Sequence, residues 1–416
     1  MRYFAQLACS NTPNTESISF ESQLSSDFHT IYRRDEAVQV ARVARPYKNS
    51  ISNPVLISVG DKKELWTVFS GDTQRSESSL LISSVTENFS NADFRNSQQD
   101  IKIPNLKSIA VAPNQEYVWA VADSELIRID VATKEQVSFN IVDDQTCNGA
   151  SEGLQVLDSE WVAVAADNET IFTNSLYKEG VLVNYLMRQW RVSSSTAAPE
   201  CISQARLGEV LGDRAFPTSY QLASSTETST TMYILSEDPF IQNRLFKMDF
   251  FHDGRKPEFT QLSGDNILDF HVFPQEERIG FIVGDIRSYQ EMTFDGEYLT
   301  GTQSAFPWLR SPTSLAYDPE KDRVFVVGYD FCEVTDRPEN DPCRNPNAVG
   351  DQTIRVMAAG IIDRTRRKTS PSKYVFRDFE KGDILNLSAR VEYTSFAERM
   401  LVFDTTQAYL YIVPTE

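Results

Sequence analysis

The chain has 416 residues and a formal net charge of −19. That acidity argues against nucleic acid, whose dense negative charge a binder must neutralise with Lys and Arg, and equally against anionic membrane surfaces. No run approaches the roughly 20 apolar residues of a membrane-spanning helix, while 41% hydrophobic and 11% aromatic residues suffice for a large packed core.

Residues 1–27 are polar and read as a disordered segment or tether ahead of a single domain over 28–416. Residues 1–9 are too short for the apolar core of a signal peptide, so an exported protein would have lost its signal before this point. Cys9 follows Leu7 and Ala8 and precedes a Ser/Asn/Thr-rich stretch. This resembles the tether after the acylated cysteine of a bacterial lipoprotein, with Gln6 where that family carries leucine, and would make Cys9 a lipid anchor. A plain disordered terminus is the competing reading.

The first strand signal is Ala37-Val38-Gln39-Val40-Ala41-Arg42-Val43, with strict period-2 alternation. Seven short apolar runs then end in aspartate, at Asp72, Asp123, Asp167, Asp238, Asp285, Asp330 and Asp404. The clearest repeat unit starts Ser108-Ile109-Ala110-Val111-Ala112-Pro113 and, after a turn, continues Tyr117-Val118-Trp119-Ala120-Val121-Ala122-Asp123. Two further strand signals, 125–130 and 136–139, complete one four-stranded antiparallel blade. Ser314-Leu315-Ala316-Tyr317-Asp318-Pro319 repeats the frame: in both copies Ala stands three before Pro, and Val five after it. A third copy, Asp269-Phe270-His271-Val272-Phe273-Pro274, carries His271 in the alanine position.

This frame divides the chain into blades at about 53–104, 105–145, 150–205, 215–263, 265–308, 311–378 and 384–416. The last segment supplies only three strands, so 37–43 is expected to provide its fourth, closing the ring and covering its edges. The predicted fold is all-β: a seven-bladed β-propeller of four-stranded antiparallel blades, closed by an N-terminal strand joining the last blade. A two-sheet sandwich is the structural competitor, but such domains rarely exceed about 250 residues. The pattern of apolar runs, proline and aspartate resembles the WD40 and YVTN-type propeller repeats, without the Trp-Asp and Gly-His pairs of WD40. The resemblance implies an architecture rather than an activity.

Five cysteines are present, none in a CxxC pair, and three histidines, a poor inventory for zinc. Cys332 and Cys343 flank a polar, proline-containing loop that a disulfide would staple, and Cys147 with Cys201 is the natural second pair. Disulfides point to an oxidising, extracytoplasmic compartment: periplasmic, cell-surface or secreted. The loop carries Asp330, Glu333, Asp336, Glu339 and Asp341, a candidate partner-binding insertion over 331–350. Asp330, Asp336 and Asp341 are hard oxygen donors suited to calcium, although the spacing is not that of an EF-hand.

His271, in an apolar strand, is the candidate catalytic or ligand-binding group of a central channel; a hydrogen-bonded core histidine is the plainer reading. The strand-ending aspartates are expected as a ring on one face, explained mostly by turn capping. The basic cluster 364–368 reads as a solvated hairpin tip. No nucleophile elbow, HExxH or phosphate loop is present. The expectation is a non-catalytic binding or scaffold propeller contacting a protein or glycan through one face and the 331–350 insertion. The alternative is a propeller hydrolase or lyase, lactonase-like, with a metal held by channel acids.

Overall fold

The computed structural model describes residues 28–33, 36–44, 51–69, 78–85, 99–141, 147, 155–179, 182–193, 197–212, 216–237, 243–302, 304–305, 309, 311–333, 353–366, 368–376, 389–394, 399–404 and 409–414. Five antiparallel sheets of four strands follow one another along the chain. The first is β3 (Ile51–Val59), β4 (Lys62–Phe69), β5 (Ser79–Val85) and β6 (Gln99–Lys102). The second is β7 (Leu106–Val111), β8 (Tyr117–Ala122), β9 (Glu125–Asp130) and β10 (Gln136–Asn140). The third is β11 (Gln155–Val164), β12 (Thr170–Glu179), β13 (Leu182–Arg191) and β14 (Glu200–Arg206). The fourth is β15 (Phe216–Ser225), β16 (Ser229–Glu237), β17 (Arg244–Phe251) and β18 (Glu258–Ser263). The fifth is β19 (Ile267–Phe273), β20 (Arg278–Val283), β21 (Ser288–Thr293) and β22 (Ser304–Ala305). First strands pack against neighbouring first strands, as in the β7–β11, β15–β19 and β19–β23 contacts, so they form the inner wall of an all-β propeller.

The sixth sheet corrects the blade count. It has nine strands, in the order β23–β24–β25–β26–β1–β2–β29–β28–β27. Its members are β23 (Ser311–Asp318), β24 (Arg323–Glu333), β25 (Thr353–Asp363), β26 (Lys368–Phe376), β1 (Phe28–Arg33), β2 (Glu36–Ala44), β29 (Tyr409–Pro414), β28 (Arg399–Asp404) and β27 (Ala389–Thr394). The N-terminal strand β2 pairs with β29 (Ala41 with Ile412). The strand before it, β1, also pairs with β26 (Ile31 with Phe376). One hydrogen-bonded unit forms where two were expected, so the described residues form six sheets rather than seven blades. The period-2 signal at 37–43 marked β2; the shorter β1, which fuses the sheet, carried too few apolar residues to be assigned a partner.

The second strand of each sheet explains why the repeat was legible. In β16, Met232 and Ile234 face the third sheet, packing with Phe172 and Met187. Tyr233 and Leu235 face the fifth, packing with Phe270, Ile279 and Phe281. In β8, Val118 and Ala120 join the cluster of Trp66 and Leu80, while Trp119 and Val121 pack with Val162, Ile171 and Trp190. A strand covered on both faces has no polar face to show, so it reads as an unbroken apolar run. Fully burying one such Leu, Ile or Phe is worth about 1.5–3 kcal/mol. The outer strands lose this cover: β10 is mostly exposed.

Asp72 and Asp238 lie outside the described residues; of the other strand-ending aspartates Asp123, Asp167 and Asp285 stand in turns, and together they do not form one ring. Asp123, in the left-handed conformation (φ 49°), turns the chain between β8 and β9, and Asp285 follows β20. Asp167 instead sits between β11 and β12, at the opposite end of its sheet, where it accepts the N–H groups of Glu169 and Thr170 (2.9 and 2.8 Å). Burial works to raise its pKa, but these bonds and the Thr170 hydroxyl prevail and lower it. The first strand of this sheet runs ten residues, so its tail mimics the apolar run of a second strand. Asp330 lies within β24 rather than ending it.

Candidate functional site

Each inner strand from the second sheet onward carries a β-bulge near its start. The ladder skips between Leu106 and Ser108, Val156 and Asp158, Pro217 and Ser219, Ile267 and Asp269, and Pro312 and Ser314. A bulge leaves one residue outside the ladder and re-aims its side chain. Three such residues, Thr218, Leu268 and Thr313, line a cavity of about 230 Å³ between β15, β19 and β23. Ser219, Gln221, Asp269, His271, Ser314 and Tyr317 complete its polar wall.

Several of these groups hold the strands to one another. The Gln221 side chain acts as a length of β-ladder: its Nε2 donates to the Phe270 carbonyl (2.6 Å) and its Oε1 accepts the Val272 N–H (2.9 Å). Asp269 accepts the N–H groups of Phe270 and, from the next inner strand, Leu315 (both 2.9 Å). The Thr218 and Thr313 hydroxyls donate to the Leu235 and Val327 carbonyls (3.3 and 3.2 Å). Inner strands of a propeller do not pair edge to edge, so side chains must supply the partners that buried backbone groups require.

His271 is placed differently. Its ring packs against Phe273 and Tyr317, at centroid distances of 5.0 and 5.4 Å. Burial, and secondarily the positive charge of Arg364, pull its pKa down to about 4. The imidazole is therefore neutral near pH 7, with one nitrogen a donor and the other an acceptor. Across the ladder it faces Gly280, whereas the alanines at the same repeat position, Ala110 and Ala316, face Trp119 and Phe325. A Cβ at Gly280 would collide with the Tyr289 hydroxyl and the Phe273 ring. The large-against-small pairing is inverted here: the inner strand carries the ring and the second strand gives way.

Behind these rings stands Arg364, the first residue of the predicted solvated hairpin tip. That expectation is corrected for this residue: only 5% of its side chain is exposed, matching the 5% of Glu291, to which it is ion-paired at 2.7 Å. Glu276 (2.9 Å) and Asp322 complete the cage, and the guanidinium lies 4.0 Å over the Phe273 ring. Desolvation works to lower the Arg364 pKa, but its bonds to Glu276 and Glu291 outweigh this and raise it. Tyr289 donates to Glu291 (2.8 Å). Arg366, two residues on, is exposed as predicted.

A second polar group lies on the wall formed by β7, β11 and β15. Lys107 pairs with Asp158 at 3.0 Å. Burial, opposed by Lys107 and assisted by Asp158, raises the pKa of Glu160. The Tyr220 ring stacks on Trp161 at 4.3 Å, and its buried hydroxyl has no hydrogen-bond partner among the described residues. The pairs of first-strand residues that produce this group were not read from the sequence; the only signal was a charge on either side of an apolar run.

Of the other residues singled out, Cys147 and Cys201 form a disulfide with Cα atoms 4.8 Å apart. Asp330, Cys332 and Glu333 lie on β24, with side chains outside the described residues, as are Asp336, Glu339, Asp341, Cys343, Cys9 and the segment 1–27. His252 follows β17 in a hairpin turn and bonds Thr230 through Nε2 (3.0 Å). Among the described residues no three of His, Cys, Asp and Glu converge as a metal site, and no helix is long and apolar enough to cross a membrane.

No family model matches the chain, and no curated protein matches it. Solved structures with a similar course of the chain include hydrazine synthase of Kuenenia stuttgartiensis, at 10% identity and TM-score 0.49, covering 90% of this chain and 97% of that one. Prolyl oligopeptidase B from Galerina marginata is similar at 11% identity and TM-score 0.47, over 86% of this chain and 47% of its own. The WD40 domain of SCAP from fission yeast is similar at 10% identity and TM-score 0.42, over 96% and 97%. All three TM-scores lie below 0.5, and no functional conclusion follows from them.

Proposed function

We propose that this chain is a non-catalytic binding or scaffold propeller acting outside the cytoplasm, contacting a protein or glycan through one face and the 331–350 insertion. The observation that carries it is the state of the polar groups at the inner cavity. Asp269 and Gln221 are engaged in joining inner strands, and His271 has a pKa near 4, well below what suits a general base working near pH 7. Such a wall supports recognition rather than proton transfer. The Cys147–Cys201 bond supports an oxidising compartment, and Cys9 remains our candidate for a lipid anchor. We assign calcium, if bound, to Asp330, Asp336 and Asp341 of the insertion.

The test pairs binding with turnover. The purified chain is applied to a glycan array and to defined extracellular proteins, and assayed with lactone, ester and prolyl-peptide substrates with and without calcium or zinc. Retention on a partner that is lost when 334–350 is replaced by a Gly/Ser linker supports the proposal. Turnover abolished by His271→Gln or by a chelator overturns it. Five reactive thiols in the denatured, unreduced chain would overturn the compartment.

A further inference from the structure

The cavity at His271 has features that neither packing nor strand joining explains. Its volume, about 230 Å³, would hold seven or eight waters at ~30 Å³ each, and lies below the ~300–1,000 Å³ of drug-sized pockets. The imidazole lines it and makes ring contacts to Phe273 and Tyr317, but no hydrogen bond to any described residue. Thr218, displaced into the cavity by its bulge, donates to Leu235, leaving its oxygen to accept.

The charges around the cavity select what enters. Asp269, in the wall, repels anions. Arg364 lies 5.4 Å from the Tyr317 ring, on the far side of the aromatic layer, and already disfavours a cation at His271. The remaining groups are a neutral imidazole and the Ser219 hydroxyl, each both donor and acceptor, the Ser314 hydroxyl, which already accepts the Val391 N–H (3.4 Å) and can still donate, and the Thr218 oxygen as an acceptor. Their complement is a group that is also both: an alcohol. Tyr317, also in the lining, adds apolar ring surface for the C–H groups of such a ligand.

We propose that this cavity binds a neutral, polyhydroxylated ligand the size of one sugar ring, hydrogen-bonded by His271 and Thr218. The assignment rests on the glycan branch of the proposed function and makes the cavity the reader of a single sugar unit. Three histidines in the chain make the imidazole nitrogens resolvable by 15N NMR, so the site can be observed directly. The probes are D-glucose, D-galactose, D-mannose, L-fucose and myo-inositol, with ethylammonium and acetate as ionic controls.

The expected result is saturable movement of the His271 nitrogen resonances by at least one sugar, with Kd about 1 mM or tighter, and none by either ion. His271→Phe should weaken that sugar by on the order of tenfold or more, since a site built to hydrogen-bond a hydroxyl is left unpaired. Thr218→Val, at an exposed position of the cavity wall, is the second variant should His271→Phe fail to fold, and should weaken the same sugar several-fold while the chain still unfolds in one cooperative thermal transition. No movement with any sugar, or equal movement with the ions, overturns the assignment. The two proposals fail separately. A protein partner bound through 331–350 with His271 silent ends this inference alone. A sugar at His271 with no macromolecular partner ends the scaffold reading alone.

Discussion

Two seams between neighbouring sheets are held by opposite means. Between the second and third sheets, Trp119, Val121 and Leu126 pack against Val162, Ile171 and Trp190, and a disulfide ties the loop after β10 to β14. Between the fifth sheet and β23–β25, apolar packing by Phe273, Ile282, Leu315 and Val326 gives way at one end to the caged Arg364. The first seam adds a covalent bond that reduction would break, with the Lys107–Asp158 pair at its inner edge; the second adds a buried ionic cage. The difference teaches why His271 sits where it does. Burial against an aromatic layer, assisted by the positive charge of the guanidinium behind it, keeps the imidazole neutral.

The contrast can be broken at its ionic end first. Arg364→Met leaves buried Glu291 with only the more exposed Arg278, at 3.6 Å, as its cation and should cost about 3 kcal/mol in urea unfolding, whereas Arg364→Met with Glu291→Gln should recover most of it. A loss below about 1 kcal/mol from the single change would show that the cage does not hold the seam. The covalent end comes next. Replacing both Cys147 and Cys201 by Ala frees a loop closed across 54 residues, for which chain entropy gives about 4 kcal/mol as an upper figure and 2–4 is typical. That loss should be the same at low and high salt; a salt-dependent loss would mean that the disulfide also holds the Lys107–Asp158 pair in place.

The third effect is the smallest near neutrality and sharpens the comparison through pH. The His271 pKa is lowered from 6.5 to about 4 on folding, so the unfolded chain binds the extra proton first. The contribution is fully present above pH 6.5 and is lost as pH falls toward 4, by roughly 3 kcal/mol at most. His271→Gln should flatten this part of the stability-pH curve relative to the unmodified chain, while carboxylate titrations common to both cancel. An unchanged slope would mean the imidazole is not held neutral.

The parts of the fold that were legible share one cause. Runs such as 118–122 and 279–283 are covered on both faces, so composition alone reveals them, and prolines and aspartates mark where they stop. The boundaries of the first five blades followed within a few residues, and so did β2 against β29. Misreadings arose where a local signal had two structural uses. The tail of β11 resembles a second strand, which misplaced Asp167, and the chain before β2 held a strand whose partner, β26, is some 340 residues away in the sequence. At the site, His271 stood out as a break in the repeat, but its cavity did not. Thr218 and Thr313 are ordinary residues whose exposure to the cavity depends on a one-residue skip in the ladder.

By itself the sequence determined most of the strands, the antiparallel four-strand unit, the pairing of Cys147 with Cys201 and the oddity of His271. These rest on local apolar periodicity and on residue chemistry, which neighbours along the chain set. Tertiary structure alone decided the fusion of two strand groups through β1, the burial of Arg364 among Glu276, Glu291 and Asp322, and the pairing of His271 with Gly280. Each depends on strands distant in sequence meeting at one register, and a charged residue in a turn looks the same in sequence whether it meets water or a cage of carboxylates.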